Sequence, residues 1–202
     1  MKALLSFVSI GLLLSSAAFA QPAPTRIRGT IQAVDGATVT VVTQEDETVQ
    51  LTLTDMTGIN GLEEKSAADI SDNTFIGTTA VKGNDGRWKA TEVHIFPEAM
   101  RGAGEGHYAW DLPESTMTNA AVTGTTGTRN RRTLRLKYGT GPTAGEVEVD
   151  LTRRTDIVAL TLADRSLLVP GAAVFALALP QDTGGALALA IIAETDGVEP
   201  PM

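Results

Sequence analysis

The chain has 202 residues, with 24 acidic against 16 basic side chains, a formal net charge of −8 and no cysteine. The lack of cysteine excludes disulfides, thiolate metal ligands and thiol nucleophiles together. The acidic balance argues against nucleic acid and anionic lipid as partners, because both are bound through clustered positive charge.

Residues 1–20 have a charged start at Lys2, an apolar run over 3–14 and a small-x-small site at Ala18-Phe19-Ala20 ahead of Gln21-Pro22. That is the pattern of a cleaved signal peptide. The apolar run is shorter than the roughly 20 residues needed to span hydrocarbon. The expectation is therefore a periplasmic protein beginning near Gln21, with no membrane span after cleavage. Loss of Lys2 takes the net charge from −8 to −9.

Residues 26–42 alternate apolar and polar side chains on both sides of Val34-Asp35-Gly36, which predicts a hairpin. Val49, Leu51 and Leu53 share one face of a third strand. Ser66-Ala67-Ala68-Asp69 has capping-box spacing for a short helical turn, with Asp in place of the usual Glu or Gln. Further strands are expected over 74–82 and 88–96, joined by a turn at Gly83-Asn84-Asp85-Gly86.

The second half repeats this order. A shift of 95 places Ile27-Arg28-Gly29-Thr30 on Val122-Thr123-Gly124-Thr125 and Thr38-Val39-Thr40-Val41 on Thr133-Leu134-Arg135-Leu136. A loop three residues longer near Tyr138 raises the shift to 98, which sets Val49 on Val147, Ile59 on Ile157 and Ala90 on Ala188. A fixed shift over apolar alternation and turn glycines together indicates an internal duplication. Each unit, β-β-β-short helix-β-β, is similar to a small five-stranded OB-like barrel. The expected fold is all-β: a first OB-like domain over 21–96, a connecting strap over 97–119 and a second OB-like domain over 120–202. Arg129, Arg131, Arg132, Arg135 and Lys137 suggest either an anionic-ligand patch or a solvated strand face. Alternation with Leu134, Leu136 and Tyr138 favours the face. The runs 172–179 and 186–192 are nearly all apolar, as in strands buried on both faces.

The strap holds the chain's chemistry. His94, Glu98, Glu105 and His107 are candidate ligands for a divalent transition metal, with glycines 102, 104 and 106 allowing the chain to reverse and bring both imidazoles to one site. Their spacing matches no established zinc signature. The competing reading is a packed strap in which Arg101 pairs with Glu98 or Glu105 while Tyr108 and Trp110 anchor the segment beside Asp111. No nucleophile elbow, metalloprotease helix or phosphate loop is present, so no enzyme is expected.

The run HIFPEAMRGAGEGH from His94 to His107, followed by Trp110-Asp111-Leu112 and Ser115-Thr116-Met117-Thr118-Asn119, resembles an uncharacterised family of exported bacterial proteins with tandem small β-domains. Some members carry a metal ABC transporter permease label. With no apolar stretch of about 18 residues after the leader, the resemblance implies a periplasmic accessory role. The expected function is a non-enzymatic binding or structural module of the periplasm. Its partner would be a protein or small ligand, with no cofactor required. The alternative is a metal-handling accessory protein using the His94 to His107 segment.

Overall fold

Period-two alternation suits strands that bury one face, and it dominates this chain. A computed structural model describes residues 23–128, 131–182 and 184–201. The signal-peptide expectation for residues 1–20 and Arg129 of the basic cluster lie outside the described residues. The protein is all-β and contains a closed five-stranded barrel with additional strands. The first half supplies β1 (Thr25–Asp35), β2 (Thr38–Thr43), β3 (Thr48–Thr52), β4 (Gly58–Glu64), β5 (Phe75–Lys82) and β6 (Trp88–Ile95). A strap with one short strand, β7 (Gly106–Ala109), follows. The second half supplies β8 (Ser115–Thr128), β9 (Arg131–Tyr138), β10 (Gly145–Leu151), β11 (Asp156–Leu162), β12 (Ala173–Pro180) and β13 (Ala186–Ala193).

Each half thus has one strand more than the sequence pattern suggested. β4 reads Gly-Ile-Asn-Gly-Leu-Glu-Glu, with residues depleted in strands. Its four central residues are all buried, so both faces are covered and no alternation is visible. The helical turn follows expectation: the Asp69 carboxylate accepts from the Ser66 amide at 2.8 Å, and the Ser66 hydroxyl accepts from the Ala68 amide at 3.3 Å. Its counterpart is Asp164 capping Arg165–Leu167.

The strands of the two halves correspond at a shift of 98 from β3 onward and of 95 at β2 and β9. At the first strand the register corrects the sequence alignment. Ile31 faces Val41 and is followed by a bulge; Val122 faces Leu136 and is followed by the same bulge, so the shift is 91 rather than 95. The longer β8–β9 hairpin absorbs the four-residue difference. The glycines at 29 and 124 that suggested the shift of 95 are not structural equivalents. The buried pair Ile31 and Val122 is.

Pairing also departs from two contiguous domains over 21–96 and 120–202. β1, β2 and β3 close a ring with β13 and β12 from the second half. β8, β9 and β10 close the equivalent ring with β6 and β5 from the first. In each ring the third strand lies parallel to the last. β4 and β11 pair antiparallel between the rings, with Leu62 opposite Leu160, two residues that correspond under the shift of 98 and so mark a pseudo-two-fold axis. The physical reason is degeneracy: β6 and β13 occupy equivalent places in the repeat and bury matching positions, Ala90 and Val93 against Ala188 and Ile191, so exchange of equivalent elements is a low-cost alternative to self-closure. Each ring encloses its own core, Ile31, Val41, Leu51, Ala176 and Ile191 in one, Ile76, Val93, Val122, Leu136 and Val149 in the other.

Candidate functional site

Strand register brings two symmetry-related rows onto one outer face. Asn119, Gly77, His94 and Val158 are neighbours across β8, β5, β6 and β11. Arg28, Phe175, Ile192 and Asn60 are neighbours across β1, β12, β13 and β4. The strap crosses this face, where Phe96, Met100 and Trp110 pack on Leu62, Val158, Leu160, Phe175 and Ile192. Between strap and sheet lies a cavity of about 280 Å³. Asn60, His94, Asn119, Leu160 and Phe175 contribute to its floor; Met100, Ala103, Tyr108 and Trp110 contribute to its roof.

Polar contacts hold the strap along its length. β7 pairs with β8, setting His107 opposite Thr118. Arg101 donates to both Glu98 oxygens at 2.6 and 2.7 Å and to the Asn73 carbonyl at 2.8 Å. Glu105 Oε1 accepts from the Gly139 amide at 3.0 Å. Asp111 accepts from Arg26 at 2.7 Å and from Arg28 at 2.5 Å, while the Arg26 guanidinium lies 3.7 Å from the centre of the Trp110 ring. Gly104 permits a close approach: its φ is +59°, and a Cβ there would lie 2.8 Å from Asn119 Nδ2. That amide nitrogen donates to the Ala103 carbonyl at 3.1 Å.

Three residues lining the cavity have a buried polar atom with no protein partner: Asn60 Oδ1, His94 Nε2 and Asn119 Oδ1. Each such atom costs about 1–3 kcal/mol when left unpaired, so their convergence on one cavity calls for an explanation. Burial lowers the His94 imidazole to about 4, which keeps it neutral. Two residues earlier on the same strand face, buried Glu92 accepts a hydrogen bond from the Thr79 hydroxyl. Burial pushes its carboxyl up to about 7, against the opposing effects of that bond and of Arg28.

The residues proposed as metal ligands are not brought together. His94 shares a face with Gly77 and Asn119, whereas His107 is level with Thr118 and Thr78, whose side chains alternate to the opposite face. The strap glycines do reverse the chain, yet the reversal lays His107 along β8, where its Nδ1 lies 2.8 Å from Thr118 Oγ1 and its ring stacks on Tyr138. Glu98 and Glu105 are exposed and held by Arg101 and Gly139. Among the described residues no group of three or more His, Asp or Glu converges. Of the basic cluster, Arg131 reaches Asp150 at 3.1 Å and Arg135 reaches Glu148 at 3.2 Å, so these cations meet acids of the protein itself. Sequence reasoning missed Asn60, Asn119 and Glu92. Their one signal was a polar residue in a segment that is otherwise buried. No protein-family model, curated protein or solved structure matches this chain.

Proposed function

We propose that this protein is a non-enzymatic binding module of the periplasm, built on two interleaved OB-like barrels, which holds a small ligand beneath its strap. The observation that carries this reading is a largely apolar cavity lined by three residues with unpartnered buried polar atoms. Apolar walls with a few convergent polar groups are the usual composition of a small-molecule site. Export rests on the leader pattern of residues 1–20.

Native mass spectrometry of protein purified from periplasm tests the reading. A one-to-one small-molecule adduct is expected, released on denaturation. It should be lost from Ala190→Phe, which fills the cavity floor. Protein without an adduct, but with stoichiometric metal by elemental analysis, would replace this reading with that of a metal-handling accessory.

A further inference from the structure

Resting on the binding reading above, the geometry points to a ligand class: a neutral one- or two-ring aromatic molecule bearing an N–H or O–H donor. Three observations converge on it.

The first is charge. Among the described residues Arg26 is the one charged residue lining the cavity, and Asp111 at 2.7 Å and the Trp110 ring at 3.7 Å already engage its guanidinium. Among the described residues lining the cavity no charged group remains free to offset a ligand charge, and an unpaired buried charge costs several kcal/mol. Anions and cations are therefore both disfavoured.

The second is hydrogen-bond polarity. Asn119 donates through Nδ2 to the Ala103 carbonyl, which orients its amide and leaves Oδ1 as an unpaired acceptor. Asn60 Oδ1 is also unpaired, and Nε2 of the neutral His94 ring accepts in the tautomer protonated at Nδ1. A ligand that supplies a donor would satisfy Asn119 Oδ1, and a pure hydrocarbon would leave all three atoms unpaired.

The third is size and wall chemistry. About 280 Å³ is just below the range of roughly 300–1,000 Å³ usual for small-molecule sites, which favours a small ligand. Phe96, Tyr108, Trp110 and Phe175 line the space, and aromatic walls favour offset or edge contacts with an aromatic ligand.

Isothermal titration calorimetry on the mature chain with four matched probes tests the inference. The probes are indole, its donor-less analogue indene, the anion indole-3-acetate and the cation tryptamine. Indole should bind about ten-fold tighter than indene, the ratio expected from one satisfied buried acceptor. Neither charged probe should bind measurably. Indole has one N–H, and the oriented acceptor is Asn119 Oδ1, so in Asn119→Leu the indole-to-indene ratio should fall toward one while Asn60→Leu keeps it. Unfolding by urea checks that both variants fold, and a ratio unchanged in a folded Asn119→Leu would overturn the inference. Equal binding of indole and indene would overturn the ligand class while leaving the binding reading intact. Preference for either charged probe would overturn the neutrality argument. Failure of all four to bind would overturn this inference, and a missing adduct in native mass spectrometry would overturn the binding reading separately.

Discussion

Glu92 and His94 are two residues apart on one face of β6, and burial moves them in opposite directions, to about 7 and about 4. Glu92 has a folded value above its unfolded 4.5, so its contribution to stability is present below 4.5 and lost as pH rises through about 7. His94 has a folded value below its unfolded 6.5, so its contribution is present above 6.5 and lost as pH falls through about 4. Between these limits the two slopes oppose each other, and a flat stability profile is expected. Glu92→Gln keeps the neutral form. It should stabilise the fold by about 3 kcal/mol near pH 8 and by almost nothing near pH 4, measured by urea unfolding. In that background stability should fall by about 3 kcal/mol from pH 6.5 to 4, and adding His94→Leu should remove the slope. A profile unchanged by either substitution would refute the assignment of these shifts.

Asp150 offers a second test at the residue scale. Its side chain is 1% exposed and accepts from Arg87 at 2.8 and 2.6 Å, from Thr133 at 2.6 Å and from Arg131 at 3.1 Å. The Arg87 bond, foremost among these, holds the carboxylate well below its usual range, so the stability it confers is present above pH 3.8 and lost as pH falls through the depressed value. Removing either partner is not equivalent. Arg87→Met leaves the buried carboxylate only Thr133 and Arg131 as partners and should cost about 3 kcal/mol. Asp150→Asn leaves a half-exposed guanidinium and should cost about 2 kcal/mol or less. The reverse order in thermal or urea unfolding would count against this account.

At the scale of elements, the strap is the part whose energetics are separable from the sheet it crosses. Asp111 is partly exposed and its ion pairs with Arg26 and Arg28 are screened by solvent, so Asp111→Ala should change global stability by no more than about 1 kcal/mol. Locally the effect should be larger, because Arg26 and Trp110 lose the group that holds them over the cavity. Amide exchange is expected to quicken at Trp110, whose N–H bonds to the Ser115 carbonyl at 3.0 Å, and along β7, while exchange in β9 and β12 stays unchanged. Uniform acceleration across the sheet would show that the strap is not an independent unit. The strap also illustrates the limit of spacing arguments. Glycines 102, 104 and 106 correctly signalled a chain reversal, but the faces on which His94 and His107 emerge depend on strand pairing, which spacing does not encode.

For the whole molecule, interleaving makes each ring depend on both halves. A break between Pro113 and Glu114, where Glu114 already turns with φ of +58°, would separate β1 to β7 from β8 to β13. Neither fragment can close a ring as observed here, since β3 takes β13 and β10 takes β6. Each fragment alone should therefore lack a cooperative unfolding transition, and mixing the two should restore one. A fragment that folds cooperatively as a monomer would show that each half can satisfy its own edges.

The amino-acid sequence by itself determined the local choices. Asp35-Gly36 and Gly83 to Gly86 set hairpins, Ser66 and Asp69 set a capped turn, and alternation such as Leu134, Leu136 against Arg135, Lys137 chose which side faces the core. Duplication was legible too, because period and turn glycines are properties of contiguous residues. β4 was not legible, since a strand buried on both faces shows no alternation. The cavity could not be read either: Asn60, His94 and Asn119 lie on three different strands, and only their pairing register sets them on one face. Tertiary structure alone decided whether β3 closed on β6 or β13, because the repeat makes the two candidates similar in pattern and the choice turns on contacts between distant segments.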